Sequence, residues 1–343
     1  MKTFVGGFSF AVASLIGPNT AVAQQQQTAP PPPWAYGFAT PPSPAPAGAP
    51  ASQQGQRGGG GGGGGAPADT TLRTLPGSTA SFTLAQIRDG FGPADWFPGD
   101  HPPMPPIVAQ GRRDAMITAC SLCHYPNGKG RPENAGVSGL PFGYIVQTMM
   151  DFKNDVRKSA DPRKTNTNRM IAFTKGMTDD EMKAAAAYFS SMKWTPWIRV
   201  VETDSAPKTR IAAGMFVAIE GADAGKEILG QRIIETPENA EATEVLRNPR
   251  SGFVAYVPKG SVKKGEALAT RGQCALCHGT NLEGLGPVPG IAGRSPSYMV
   301  RQMYDMQHGL RAGVWTELMK RVVGPLSVDD MLNLAAYAAS RAP

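Results

Sequence analysis

Apolar residues recur at helical spacing in two widely separated stretches of the chain, in the same order. In the first, Ile145, Met149 and Phe152 fall at intervals of three and four, and Met182, Ala185, Ala186 and Phe189 repeat the pattern downstream. In the second, Tyr298, Val300, Met303 and Tyr304 form one such group, and Met331, Leu334, Ala335 and Ala338 the other. This period predicts amphipathic helices beginning near Tyr144 and Ser297 and two more close to each stretch's end. The final pair carry start signals. Thr178-Asp179-Asp180-Glu181 has capping-box form, and Ser327-Val328-Asp329-Asp330 is its acidic variant. A shorter helical stretch precedes each group, Val108 to Ala119 and Val262 to Arg271. Between the two stretches the period changes. Trp197 to Glu202, Arg232 to Thr236 and Phe253 to Val257 are short β-like runs punctuated by Gly and Pro.

The two helical stretches are copies of one another. Adding 154 takes Cys120 to Cys274, Gly139 to Gly293, Tyr144 to Tyr298, Met149 to Met303 and Asp151 to Asp305. Further on the offset is 149, taking Met170 to Met319, Thr178 to Ser327, Met182 to Met331 and Tyr188 to Tyr337. The change of offset is a five-residue deletion in one connection. Repeats this long are domain duplications rather than solenoid units.

Each copy contains one C-x-x-C-H motif: Cys120-Ser121-Leu122-Cys123-His124 and Cys274-Ala275-Leu276-Cys277-His278. These hold all four cysteines of the chain, so no thiol remains for a disulfide framework. A redox dithiol belongs at a strand-to-helix turn, and no such pattern surrounds either copy. A zinc site needs four ligands at close spacing. The motif is the attachment signature for a c-type haem, with the two thiols bonded to the macrocycle and the His as proximal iron ligand. Two covalently attached c-type haems are therefore expected, each supplying much of the core of a small helical domain.

A second protein ligand closes the iron and favours electron transfer, and a Met thioether raises the potential. Methionines are plentiful, 15 in all, and an average one is core packing. Met170 and Met319 differ because the repeat places both in the connection before the capped helix, at equal distances from the cap, and they are the expected distal ligands. Met177 matches Leu326 and reads as packing, His308 matches Asn154 and reads as a solvated helix residue, and His101 reads as surface.

Both copies resemble class I cytochromes c, and the duplicated arrangement is similar to the two-domain dihaem cytochromes of the c-four type. The resemblance rests on the C-x-x-C-H motifs, the P-x-[LI]-x-G loop, the Tyr-headed helix, the Met-bearing segment and the final capped helix. It implies a mainly α protein, with two helical haem domains joined by a small β-containing insert. It implies attachment at Cys120, Cys123, Cys274 and Cys277, proximal ligation by His124 and His278, and distal ligation by Met170 and Met319. It also implies that the Pro289 carbonyl accepts a hydrogen bond from His278. The first copy departs from the loop pattern, with Ala135 at the Pro position and Tyr125-Pro126 after the motif His. The resemblance covers about half of the chain.

The remaining segments complete the expected organisation. Residues 1–23 read as a secretory signal, with Lys2, a short apolar run and an Ala21-Val22-Ala23 cleavage site, which predicts export to a periplasm. Residues 24–69 are rich in Gln, Pro and Gly and read as a disordered tether, with Trp34, Tyr36 and Phe38 as exceptions able to dock. Residues 70–103 read as an ordered lead-in, 104–194 and 258–343 as the haem domains, and 195–257 as the connecting insert.

The formal net charge of +7 would fall to about +2 with the signal removed and four haem propionates ionised. Nucleic-acid motifs are absent. Lys153, Arg157, Lys158, Arg163, Lys164, Arg169 and Lys175 cluster in the first copy. They suggest that an acidic redox partner docks there, through the weak, steered contacts usual for electron transfer. No nucleophile–base pair, nucleotide loop or other metal constellation is evident, so catalytic residues are expected to be none. The expected function is single-electron transfer from a dehydrogenase or quinol-oxidising complex, with possible association with a membrane complex, to a terminal oxidase or other acceptor. The alternatives are a dihaem enzyme, peroxidase-like or thiosulfate-oxidising, and a cytochrome subunit of a larger dehydrogenase.

Overall fold

The structure is a computed structural model and describes residues 1, 30–40 and 69–343. The expected signal and its cleavage site, and most of the expected tether, lie outside the described residues. One short helix, α1 (Leu84–Ile87), precedes the first repeat, which opens with a second, α2 (Pro106–Ala109). The repeat itself contains α3 (Cys120–His124), α4 (Phe142–Lys153), α5 (Thr165–Gly176) and α6 (Asp179–Ser190). Seven strands form the insert: β1 (Ile198–Glu202), β2 (Ser205–Pro207), β3 (Thr209–Ala212), β4 (Met215–Ala218), β5 (Lys226–Ile228), β6 (Ile234–Pro237) and β7 (Phe253–Val257). The second repeat contains α7 (Ser261–Arg271), α8 (Ala275–His278), α9 (Pro296–Gln307), α10 (Thr316–Val323) and α11 (Val328–Ser340).

The capping boxes form as the sequence predicts. Thr178 and Glu181 cap α6 reciprocally, and Ser327 and Asp330 do the same for α11. The apolar stripe of α6 then turns inward, and Met182, Ala185, Ala186 and Phe189 join the core of the first repeat with Ile145 and Met149 of α4. Met331 and Ala335 of α11 pack likewise with Val300 and Tyr304 of α9.

Two local expectations fail. Val108 to Ala119 is not a helix. Only α2 is helical, and Arg112 then pairs with Ile117 in an antiparallel bridge. Gly111 stops the helix at φ +66°, where a Cβ would lie 2.2 Å from the Ile117 carbonyl oxygen. Its repeat counterpart, Gly265, stays helical and lets α7 cross α11 closely, since a Cβ there would lie 2.0 Å from the Asn333 carbonyl oxygen. The Met-bearing segments are also not loops. Met170 lies in α5 and Met319 in α10. In α5 the first five residues, Thr165 to Arg169, are polar, and the apolar residues begin only at Met170, which hides its period.

The insert carries more strands than its three β-like runs predict. Those three runs form one sheet in the order β1-β7-β6, with β7 parallel to β1 and antiparallel to β6. Phe253, Val254, Ala255 and Val257 of the central strand are buried, as an unbroken apolar run requires. Two further ribbons, β2-β5 and β3-β4, complete the unit. It is bonded to its surroundings: Glu235 of β6 accepts from the Ser297 amide at 2.7 Å at the N-terminus of α9, a favourable place for a carboxylate.

Within the expected tether, Pro33–Tyr36 forms a helical turn with Trp34, Ala35 and Tyr36 buried. Aromatic burial outweighs the disorder that the surrounding composition predicts. The Tyr36 hydroxyl donates to Asp305 Oδ1 at 2.7 Å, and Arg163 stacks on Phe38. The lead-in binds both neighbours. Trp96 Nε1 donates to the Leu246 carbonyl of the insert, and the Ala119 amide donates to the Gly90 carbonyl.

Candidate functional site

In the first repeat, the motif forms the single-turn helix α3, which brings Cys120, Cys123 and His124 to the lining of a cleft. Met170 and Phe173 of α5, Ile145 and Met149 of α4, and Ala185 and Phe189 of α6 also line it. The structure thus brings together all four residues expected at the first site. Met177 lines the same cleft and also lies in the hydrophobic core of the repeat, as its reading as packing expects.

His124 is oriented by its surroundings. Its Nδ1 lies 2.8 Å from the Ala135 carbonyl oxygen, and its ring stands edge-to-face with Phe189 at 6.0 Å. The second repeat reproduces the bond, with His278 Nδ1 2.8 Å from the Pro289 carbonyl oxygen. Proline at that position is therefore dispensable for the contact, because only the carbonyl takes part. A bonded Nδ1–H fixes the tautomer and leaves Nε2 as the lone-pair nitrogen. Burial holds both imidazoles below the usual histidine range despite these bonds, so both are neutral at pH 7. Nε2 of His278 is buried with no hydrogen-bond partner. An orphaned, neutral imidazole nitrogen is what an iron ligand requires, and a buried one left without any partner is costly.

The thiols differ between the repeats. Burial pushes the Cys120 thiol up to about 12. Cys274 is raised for the same reason, and Cys277 is exposed. The cleft of the first repeat includes none of Cys274, Cys277, His278 or Met319. In the second repeat Leu276, Leu285, Val314, Trp315, Leu318 and Val322 are exposed, on the motif, the loop after it and the segment carrying Met319. Apolar side chains there suit the face of a macrocycle. The donor set of both repeats therefore fits a covalently held haem.

Four residues of the second repeat also line the first cleft: Tyr298, Arg301, Gln302 and Asp305. No single-repeat pattern signals them. The basic cluster of the first repeat divides in the structure. Arg157 and Lys164 are buried, whereas Lys158, Arg163, Arg169 and Lys175 are exposed. Arg163 pairs with Asp161, Lys175 with Asp155 and Lys153 with Asp179. The other histidines are used locally. His101 Nε2 contacts Asp95 at 3.2 Å, and His308 stacks on Tyr304 at 4.0 Å.

The family described as Cytochrome c matches residues 108–193. Cytochrome c-554(548) of Halomonas halodenitrificans is 35% identical over 71 residues, covering 20% of this chain and 86% of that protein. Cytochrome c4 of Thiocapsa roseopersicina is 38% identical over 92 residues, covering 26% of this chain and 45% of that protein, so the chain spans less than half of this relative's length. The thiosulfate dehydrogenase electron acceptor of Stutzerimonas stutzeri is 23% identical over 239 residues, covering 68% of this chain and 84% of that protein.

Proposed function

This chain belongs to the cytochrome c family, and we propose that within it the protein is a two-haem, single-electron carrier. The observation that carries this reading is the matched pair of proximal histidines, each with Nδ1 2.8 Å from a carbonyl oxygen and Nε2 free to ligate. Cys120, Cys123, Cys274 and Cys277 would hold the two macrocycles. His124 with Met170, and His278 with Met319, would fill the axial positions. When bound, each haem supplies one iron that cycles between Fe(II) and Fe(III).

The residues of the chain do the rest. The carbonyls of Ala135 and Pro289 orient the imidazoles and raise their basicity. Ile145, Met149 and Phe189 give the first cleft apolar walls. Two Met-closed sites suit electron transfer rather than substrate chemistry. An alignment of 239 residues with a protein named as an electron acceptor supports donors of the dehydrogenase class, including thiosulfate-oxidising ones. The exposed Lys158 and Arg169 support docking of an acidic partner on the first repeat. Among the described residues no helix is long and apolar enough to cross a membrane. The read signal supports a periplasmic location.

The test is an optical spectrum of the purified holoprotein, oxidised and reduced, with and without carbon monoxide. Two haems per chain, a Met-to-iron charge-transfer absorption and indifference to carbon monoxide are expected. Carbon monoxide binding to one reduced haem would mean an open iron and would move the protein to the enzyme class.

A further inference from the structure

The two repeats are unequal between Arg157 and Met170. This stretch is five residues longer than the one from Arg311 to Met319, and Lys164 lies within it with no repeat counterpart. Lys164 lines the first cleft and is only 3% exposed, and its Nζ makes no hydrogen bond. An ammonium buried without a partner is costly, so its retention calls for an anion.

Most other charged groups of the cleft are engaged by neighbours, although both Glu133 carboxylate oxygens lack a hydrogen bond. Glu133 pairs with Arg131 at 2.6 Å. Asp305 accepts from the Tyr36 hydroxyl at 2.7 Å and from the Ala160 amide at 2.9 Å. Arg157 donates to Tyr298 and Gln302, while Arg301 donates to the carbonyls of Ala35 and Pro132. Lys158 and Arg169 are exposed. Among the described residues lining the cleft, Lys164 is thus the one buried cation with all its donors uncommitted. Burial, helped by Arg301 and opposed by Glu133, Asp161 and Asp305, brings its ammonium down to about 7, so the carboxylates of the chain do not offset the cost of enclosing it.

We propose that Lys164 seats a carboxylate of the macrocycle held by the first repeat, and that this cation raises the potential of the first haem above that of the second. This rests on the two-haem reading. A fixed positive charge beside the macrocycle disfavours the additional charge of the oxidised iron, and low local dielectric strengthens the effect. With no counterpart of Lys164 in the second repeat, electrons run downhill from the second haem to the first.

The experiment is a spectroelectrochemical titration of the holoprotein against Lys164→Gln and Lys164→Arg. Haem content comes first: fewer than two haems in the natural protein overturns the two-haem reading itself. With two haems present, Lys164→Gln should lower one potential so that its oxidised-to-reduced ratio at fixed potential rises about tenfold, which is about 59 mV for one electron. The second potential should hold, and Lys164→Arg should recover most of the shift. Unchanged potentials, or equal shifts in both, overturn the proposal. Should the Gln variant not fold, Lys164→Arg serves alone: the altered donor geometry should move the propionate bending band of one haem in the resonance Raman spectrum. An unmoved band overturns the proposal.

Discussion

Arg157 of the first repeat donates to the Tyr298 hydroxyl of the second at 3.0 Å, and their repeat counterparts return the contact, Arg311 donating to the Tyr144 hydroxyl at 2.8 Å. The two arginines also meet in an antiparallel bridge, with Lys158 N donating to the Leu310 carbonyl and Ala312 N to the Val156 carbonyl. Equivalent residues thus make equivalent contacts across an approximate two-fold axis, the geometry of an isologous interface. Both guanidiniums share Gln302. Burial pushes the Tyr144 phenol up, but Arg311, Arg157 and Arg294 outweigh it and hold it below the usual tyrosine range.

Removing either hydroxyl leaves a buried guanidinium N–H unpaired. Tyr298→Phe and Tyr144→Phe should each destabilise the holoprotein by about 1–2 kcal/mol in denaturant unfolding. Because the two bonds share one network, the double variant should depart from additivity. Strict additivity would show that the two contacts are energetically separate.

Arg294 makes a second cross-repeat link. It donates to the carbonyls of Gly290, Gly136 and Ser138 and stacks on Trp194 at 4.3 Å. These bonds tie together the two loops whose carbonyls orient His124 and His278. Arg294→Met keeps much of the volume but strands the carbonyls, and should cost about 3 kcal/mol. Equilibrium unfolding measures the loss, and a cost below about 0.5 kcal/mol would contradict the structural role.

The axial assignment separates by variant. Met170→Ala should let carbon monoxide bind one reduced haem, and Met319→Ala should do the same for the other, each abolishing half of the charge-transfer absorption. If Met177→Ala opened the first iron instead, the neighbouring methionine in the same cleft would be the ligand.

His101 should give the fold a pH dependence. Burial lowers its affinity for a proton, but bonds to Asp95 and to the Pro102 carbonyl more than restore it, so its value is raised. The folded form therefore binds the proton more tightly than the unfolded chain does. The stabilisation is complete below about 6.5 and is lost as pH rises through the folded value. Thermal unfolding of the holoprotein should show a decline above about pH 6.5 that His101→Gln flattens; an identical profile in the variant would refute the coupling.

Much of this protein is legible from the sequence because the signals are local or periodic. The C-x-x-C-H motifs point to the chemistry, the 154-residue offset points to the duplication, and the capping boxes fix where α6 and α11 begin. The Pro289 carbonyl partner of His278, which the resemblance to class I cytochromes c implies, is present in the structure. The helices bearing Met170 and Met319 were missed, the first because its opening turns are polar and the second because it runs for only eight residues, and the turn at Gly111 because a glycine in a helical period can either stop a helix or, like Gly265, let it pack closely.

What only the tertiary structure decided is which members of a uniform set are buried. Seven basic residues look alike in sequence, yet Arg157 is bonded across the repeats, Lys164 is enclosed without a partner, and Lys158 faces solvent. Trp34 and Tyr36 sit in a composition that predicts disorder, yet they are buried and Tyr36 bonds a residue 269 positions away. Helical period and motif spacing act over a few residues, so a sequence states them directly. Burial and cross-repeat pairing depend on which surfaces meet after folding, and that meeting is set by packing over hundreds of residues.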